Sequence, residues 1–175
     1  DDVIDGGGGR DVISGGDGDD KLEGSEFNDL VIGGEGNDTI NFESGTNGGK
    51  DALFGGSGDD TFIASVDRLV DSVLGSSFTV HRYSQEFDDQ VNAEDSGDSY
   101  DLSGTMSSGI DGGTGQDTLA IVANDDITMD LGSGDFEEFV EAVNNIEALD
   151  LSQGDGDVDL LLSLDDVVSI TDDNN

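Results

Sequence analysis

The sequence predicts an all-β solenoid in which short strands alternate with glycine-rich turns. Three observations predict it. First, a nine-residue unit recurs in constant phase: GGGGRDVIS from Gly6, then GGDGDDKLE, GSEFNDLVI and GGEGNDTIN, and after residues 42–45 TNGGKDALF and GGSGDDTFI. Second, position six is always Asp (Asp11, Asp20, Asp29, Asp38, Asp51, Asp60) and position eight always apolar (Ile13, Leu22, Val31, Ile40, Leu53, Phe62). A partial copy, DVID, places Asp2 and Ile4 in the same two positions. Third, the unit returns as GGTGQDTLA at Gly112, and apolar or alternating stretches follow at strand-like spacing. A glycine-rich acidic linker has no reason to keep a nine-residue phase.

Each unit divides into a turn and a strand. Glycines at positions one, two and four allow positive φ without steric cost, so successive carbonyls can face one point. The Asp adds a carboxylate beside them. Carbonyl and carboxylate oxygens are the hard donors that Ca²⁺ takes, about six to eight of them at about 2.3–2.6 Å. Positions seven to nine then form a short strand, with residue eight inward and its neighbours outward.

The GGxGxD phase closely resembles the calcium-binding nonapeptide of the RTX family. The resemblance implies a right-handed parallel β-roll, two units per turn, with each ion between the loops of units n and n+2. On that reading one row of sites runs Asp2, Asp20, Asp38, Asp60 and the other Asp11, Asp29, Asp51. The loop residues Gly15, Asp17, Gly33, Glu35, Gly55 and Ser57 join them as candidate ligands. The turn at 24–29 has Ser25 and Phe27 where glycine is usual, and the turn at 46–51 begins with Thr46 and Asn47. One sheet takes residues 3–5, 21–23, 39–41 and 61–63, with mostly polar outward positions, and should face water. The other takes 12–14, 30–32 and 52–54, with mostly apolar outward positions, and should be covered.

Residues 1–63 are therefore expected to form the roll, 64–110 a connecting segment and 111–175 a continuation of the solenoid. Residues 65–74 read as a short helix capped by Ser65, with Val66, Leu69, Val70 and Val73 on one face, a natural cover for the apolar sheet. FTVHRY and SYDLS are expected strands, and residues 84–99 a polar loop. Further strands are expected at 119–122, 127–131, 146–151 and 158–162. A second helix is expected over Phe136–Val143, while residues 164–170 fit a helix turn or a strand. GGTGQDTLAIV followed by NIEALDLSQGDGDVDLLLSLDDVV resembles the C-terminal region of giant RTX adhesins exported by type I secretion.

The chain has 43 acidic and 5 basic residues, a formal charge of −38, and only 33% hydrophobic residues. That balance opposes compaction unless a bound metal turns binding free energy into folding free energy. The absence of cysteine fits a secreted protein without disulfides. There is no apolar run long enough to span a membrane and no signal peptide, and the chain begins inside a repeat, as a fragment would. Arg10, Lys21, Lys50, Arg68 and Arg82 are too scattered to neutralise a nucleic-acid backbone.

Asp117 repeats the ligand position without an adjacent unit, so its partner must come from elsewhere, with Asp98 or Asp101 the candidates. Asp155, Asp157 and Asp159 imitate an EF-hand start, but Leu160 stands where glycine is required, which favours a plain acidic turn. His81 reads as a surface residue on a strand. One histidine and no cysteine exclude most nucleophile–base pairs, and with this many acids carboxylate pairs arise by chance. The expected function is non-catalytic: a module that binds several calcium ions in a secreted adhesin, at the surface of a Gram-negative bacterium, supporting adhesion and biofilm. By the family resemblance it would pass a type I secretion apparatus unfolded. Binding of a host-surface carbohydrate or peptide, or service in an exported enzyme, are the alternatives. Position three reads Gly8, Asp17, Glu26, Glu35, Gly48, Ser57, which is no regular ladder for ice.

Overall fold

The inward residue of each unit builds the architecture. In the computed structural model, which describes residues 1–42, 49–65, 77–80, 104–107, 109–130 and 143–161, the units stack as two parallel sheets. One sheet has six strands in the order β1 (Val3–Asp5), β3 (Lys21–Glu23), β5 (Thr39–Asn41), β7 (Thr61–Ser65), β11 (Thr118–Val122) and β14 (Ala148–Gln153). The other has five: β2 (Val12–Asp17), β4 (Leu30–Glu35), β6 (Ala52–Ser57), β10 (Gly109–Thr114) and β13 (Val143–Asn144). Register follows the repeat, with Val3 opposite Lys21, Lys21 opposite Thr39, Thr39 opposite Thr61, and Thr61 opposite Thr118. This is a parallel β-roll. Two smaller sheets complete it: β8 (Ser77–Val80) antiparallel to β9 (Gly104–Ser107), and β12 (Ile127–Asp130) parallel to β15 (Val158–Leu161).

Between the sheets lies one continuous core. Ile4, Ile13, Leu22, Val31, Ile40, Leu53 and Phe62 stack from the first units, and Ile110, Leu119, Ile121, Met129, Val143 and Ile146 carry the stack onward. Each such side chain taken from water stabilises the fold by roughly 1.5–3 kcal/mol. The outward faces differ as their residues predict. Leu30 and Ala52 are buried with Val12, Ile32 and Phe54 packed beside them, whereas Lys21 is exposed and Glu23, Thr39 and Asn41 are not buried. The expected cover, Val66, Leu69, Val70 and Val73, lies outside the described residues.

No helix occurs among the described residues. Ser65, expected to cap one, is the last residue of β7, and Val143, expected to end another, begins β13. A capping residue is itself non-helical, so this place for Ser65 is compatible with a helix beginning after it; the bodies of the two expected helices, residues 66–74 and 136–142, lie outside the described residues. The strand expected at 146–151 starts at Ala148, because Ile146 is buried in the turn before it. The strand expected in FTVHRY is β8, at Ser77–Val80, while residues 99–103 lie outside the description.

Strand connections fall on two edges. The first carries the turns 15–20, 33–38, 55–60, 112–117 and the short turn 145–147. The second carries 6–11 and 24–29, and there the chain also leaves and re-enters the two large sheets around 42–51, 66–108 and 123–142.

Candidate metal centres

The position-six Asp residues are brought into two columns, one along each edge. On the first edge the amide of Asp2 donates to Asp20 Oδ1, that of Asp20 to Asp38, that of Asp38 to Asp60, and that of Asp60 to Asp117, at 2.5 to 2.9 Å. On the second edge Asp11 donates to Asp29 and Asp29 to Asp51, both at 2.9 Å. One oxygen of each carboxylate thus ties its turn to the previous one.

The other oxygen points into the turn. Oδ2 of Asp20, Asp38 and Asp60 lies where a Cβ on Gly15, Gly33 and Gly55 would stand, and Asp11, Asp29 and Asp117 repeat this at Gly6, Gly24 and Gly112. The same space meets a carbonyl of the next turn: Gly33 O at Gly15, Gly55 O at Gly33 and Gly112 O at Gly55. Glycine is required there because any side chain would fill the cradle. Asp20, Asp29, Asp38, Asp60 and Asp117 are no more than 1% exposed, and Asp51 is 7% exposed. Oδ2 of Asp11, Asp20, Asp38, Asp60 and Asp117 has no hydrogen-bond partner. A buried carboxylate oxygen left in that state costs several kcal/mol. Convergence with carbonyl oxygens fits it for a hard divalent cation.

Electrostatics point the same way. Burial pushes the carboxyl groups of Asp11, Asp38, Asp60 and Asp117 above the ordinary range, and neighbouring acids push them further. Asp60 reaches about 6, through burial first and then through Asp38, Asp117 and Asp59, against the lowering effect of the Asp38 amide. A cation between the turns would oppose both effects by favouring the ionised carboxylates.

The remaining candidates take lesser places. Asp2 is exposed and contributes its amide. Asp17, Glu35 and Ser57 are exposed at the turn tips, where the carbonyls of Glu35 and Ser57 accept from Gly18 and Gly36. Position five forms an outer ladder, in which Asn37 donates its amide to Asp19 and Asp59 to Asn37. Ser25 and Phe27 take φ of 73° and 76°, the left-handed region that Gly16 and Gly18 occupy in the neighbouring turn. The backbone there keeps the glycine conformation at a cost of roughly 1–2 kcal/mol per residue, and Asp29 remains buried. Asp155, Asp157 and Asp159 are exposed, and the Asp157 amide donates to Asp126 Oδ1 at 3.0 Å. No group of three acidic or histidine side chains placed to hold a metal ion by themselves occurs among the described residues; each turn offers one inward carboxylate beside main-chain oxygens. His81, Asp98 and Asp101 lie outside the described residues.

Asp117 stacks on Asp60, across 57 residues of chain. Its other neighbour is Glu147, whose Oε2 accepts the Asp117 amide at 2.7 Å. The Asp60–Asp117 pair could have been read from GGTGQD joining the nearest open turn of its own row. Glu147 carries a fainter signal: an acid directly before an apolar strand, as Asp117 is.

A family model for the RTX calcium-binding nonapeptide repeat, in four copies, matches residues 1–22, 14–48 and 46–66. No curated protein matches the chain, and no solved structure does. Repeats of this family bind calcium and are typical of proteins secreted from the cell. Residues 1–66 are a region of RTX calcium-binding nonapeptide repeats, and the described residues among them form a parallel β-roll.

Proposed function

We propose that the chain is a non-catalytic folding module of a secreted RTX adhesin, extended while calcium is scarce and folded by calcium outside the cell. The observation that carries this reading is the column of buried carboxylates whose inner oxygens lack a hydrogen-bond partner. Without a cation that column repels itself; with one it becomes the spine of the roll. An extended chain suits passage through a type I exporter, and folding at the far side biases movement outward. Circular dichroism in chelator and in millimolar calcium tests the folding step, with magnesium as the control. A gain of β-structure with calcium alone is expected, and an unchanged folded spectrum in chelator sinks the proposal. The adhesin context is tested by the coding sequence upstream: repeated immunoglobulin-like domains support it, and a catalytic domain assigns the roll to an exported enzyme instead.

A further inference from the structure

The first-edge column does not stop where the nonapeptides do. In the turn after Asp117, three residues, Asn145, Ile146 and Glu147, do the work that six do elsewhere. Asn145 takes the first position: its carbonyl meets the Gly112 cradle as Gly112 O meets that of Gly55. It holds a φ of 52° without being glycine, and its Nδ2 donates to Asp111 Oδ1 at 2.8 Å. Glu147 takes the sixth position. Its carboxylate accepts the Asp117 amide, as Asp117 accepts that of Asp60. The Ala148 amide donates to the Asp117 carbonyl, as the Thr118 amide does to that of Asp60. The extra methylene of Glu spans the distance lost with the missing turn residues. Asp117 itself is fully buried, and its Oδ2 points into this space without a partner.

We propose that Asp117, the Asn145 carbonyl and Glu147 form one further calcium site, a closing half-turn outside the nonapeptide pattern. The inference rests on the calcium-dependent reading of the roll. Glu147 is exposed while Asp117 is buried, so water completes the outer side, and this site binds more weakly than those between full turns.

The test counts calcium ions bound to the full chain by equilibrium dialysis, with circular dichroism at saturating calcium. Glu147→Gln keeps an oxygen that accepts the Asp117 amide but removes the charge. It is expected to keep the fold and to lose one ion, or to bind one ion at least tenfold more weakly. Asp155→Asn, the same charge change in an exposed turn, is expected to leave the count unchanged. If Glu147→Gln binds the full number with unaltered affinity, Glu147 only caps an amide and the proposal fails. It also fails if Asp155→Asn loses an ion equally, since the effect is then diffuse charge. A wild-type chain that binds no calcium overturns the reading of the whole roll, an outcome distinct from loss at this site alone.

Discussion

Gly33 shows how much one missing methyl group decides. A Cβ there would collide with Asp38 Oδ2 and with the Gly55 carbonyl, whereas at Gly8 the nearest atom is the end of the Glu26 side chain at 3.7 Å. Gly33→Ala should cost about 1–3 kcal/mol and raise the calcium midpoint of folding about tenfold, while Gly8→Ala should leave it nearly unchanged. Asp38→Ala removes the acceptor of the Asp20 amide together with the inward oxygen, and should weaken calcium-dependent folding strongly. Asp157→Ala removes an exposed carboxylate and keeps the main-chain bond to Asp126, so its titration should match the wild type. Proton linkage is also set at this scale. The Asp60 carboxyl rises from 3.8 to about 6 in the fold. A raised pKa means the folded chain holds its proton more tightly, so its stabilisation is full below about 3.8 and vanishes as pH rises through about 6. In chelator the roll should therefore gain β-structure as pH falls from 7 to 4.5, and with calcium the midpoint should rise over the same interval. Titrations at both pH values check the two signs, and a calcium midpoint independent of pH would contradict the buried column.

Among the elements, β7 is the joint. Phe62 is fully buried and stands in register with Ile40 on one side and Leu119 on the other. Phe62→Ala should cost about 3–5 kcal/mol and lower the melting of residues 1–65 and 109–122 together, seen as one shifted transition by calorimetry. Two separate transitions would show that the strands on either side fold independently. The Asp60–Asp117 contact closes over 57 residues where neighbouring turns close over 18 or 22. The added entropy is only about 1 kcal/mol because it grows with the logarithm of length. The repeats were legible in the sequence for a physical reason: each places glycine, Asp and an apolar residue where backbone geometry, ligand chemistry and burial require them. The seam was legible only in part: GGTGQD marks the unit, but Gly112 begins it far from its neighbour along the chain. The closing turn was not legible, because Asn145 and Glu147 replace the usual residue types while keeping their roles. Of the two expected helices the described residues include only the ends: Ser65 closes β7 and Val143 opens β13.

Across the whole molecule, a charge of −38 has to be reconciled with a core to which most units of the first 60 residues give one strand residue each. On the calcium-dependent reading proposed above, so thin a core does not fold against that repulsion unaided. In chelator, small-angle scattering should give a radius of gyration near the roughly 44 Å of an unfolded chain of this length, falling with calcium towards the about 16 Å of a compact one. A compact chain in chelator would mean that side-chain packing alone suffices.

The difference between the two edges has a consequence for how such a chain can change. Among the described strands, each link longer than six residues between the two large sheets leaves and returns on the second edge, at 42–51, 66–108 and 123–142, while the turns up to Asp117 on the first edge keep a fixed length. The molecule is built like a bound book, stitched along the spine and free along the fore-edge. New sequence can be let in on the free side without dropping a stitch. An epitope tag placed after Gly45 should therefore spare calcium-dependent folding, and the same tag placed after Gly56 should abolish it. Through this division of labour, a scaffold held by a simple ion can acquire surfaces of unrelated sequence while its own assembly stays the same.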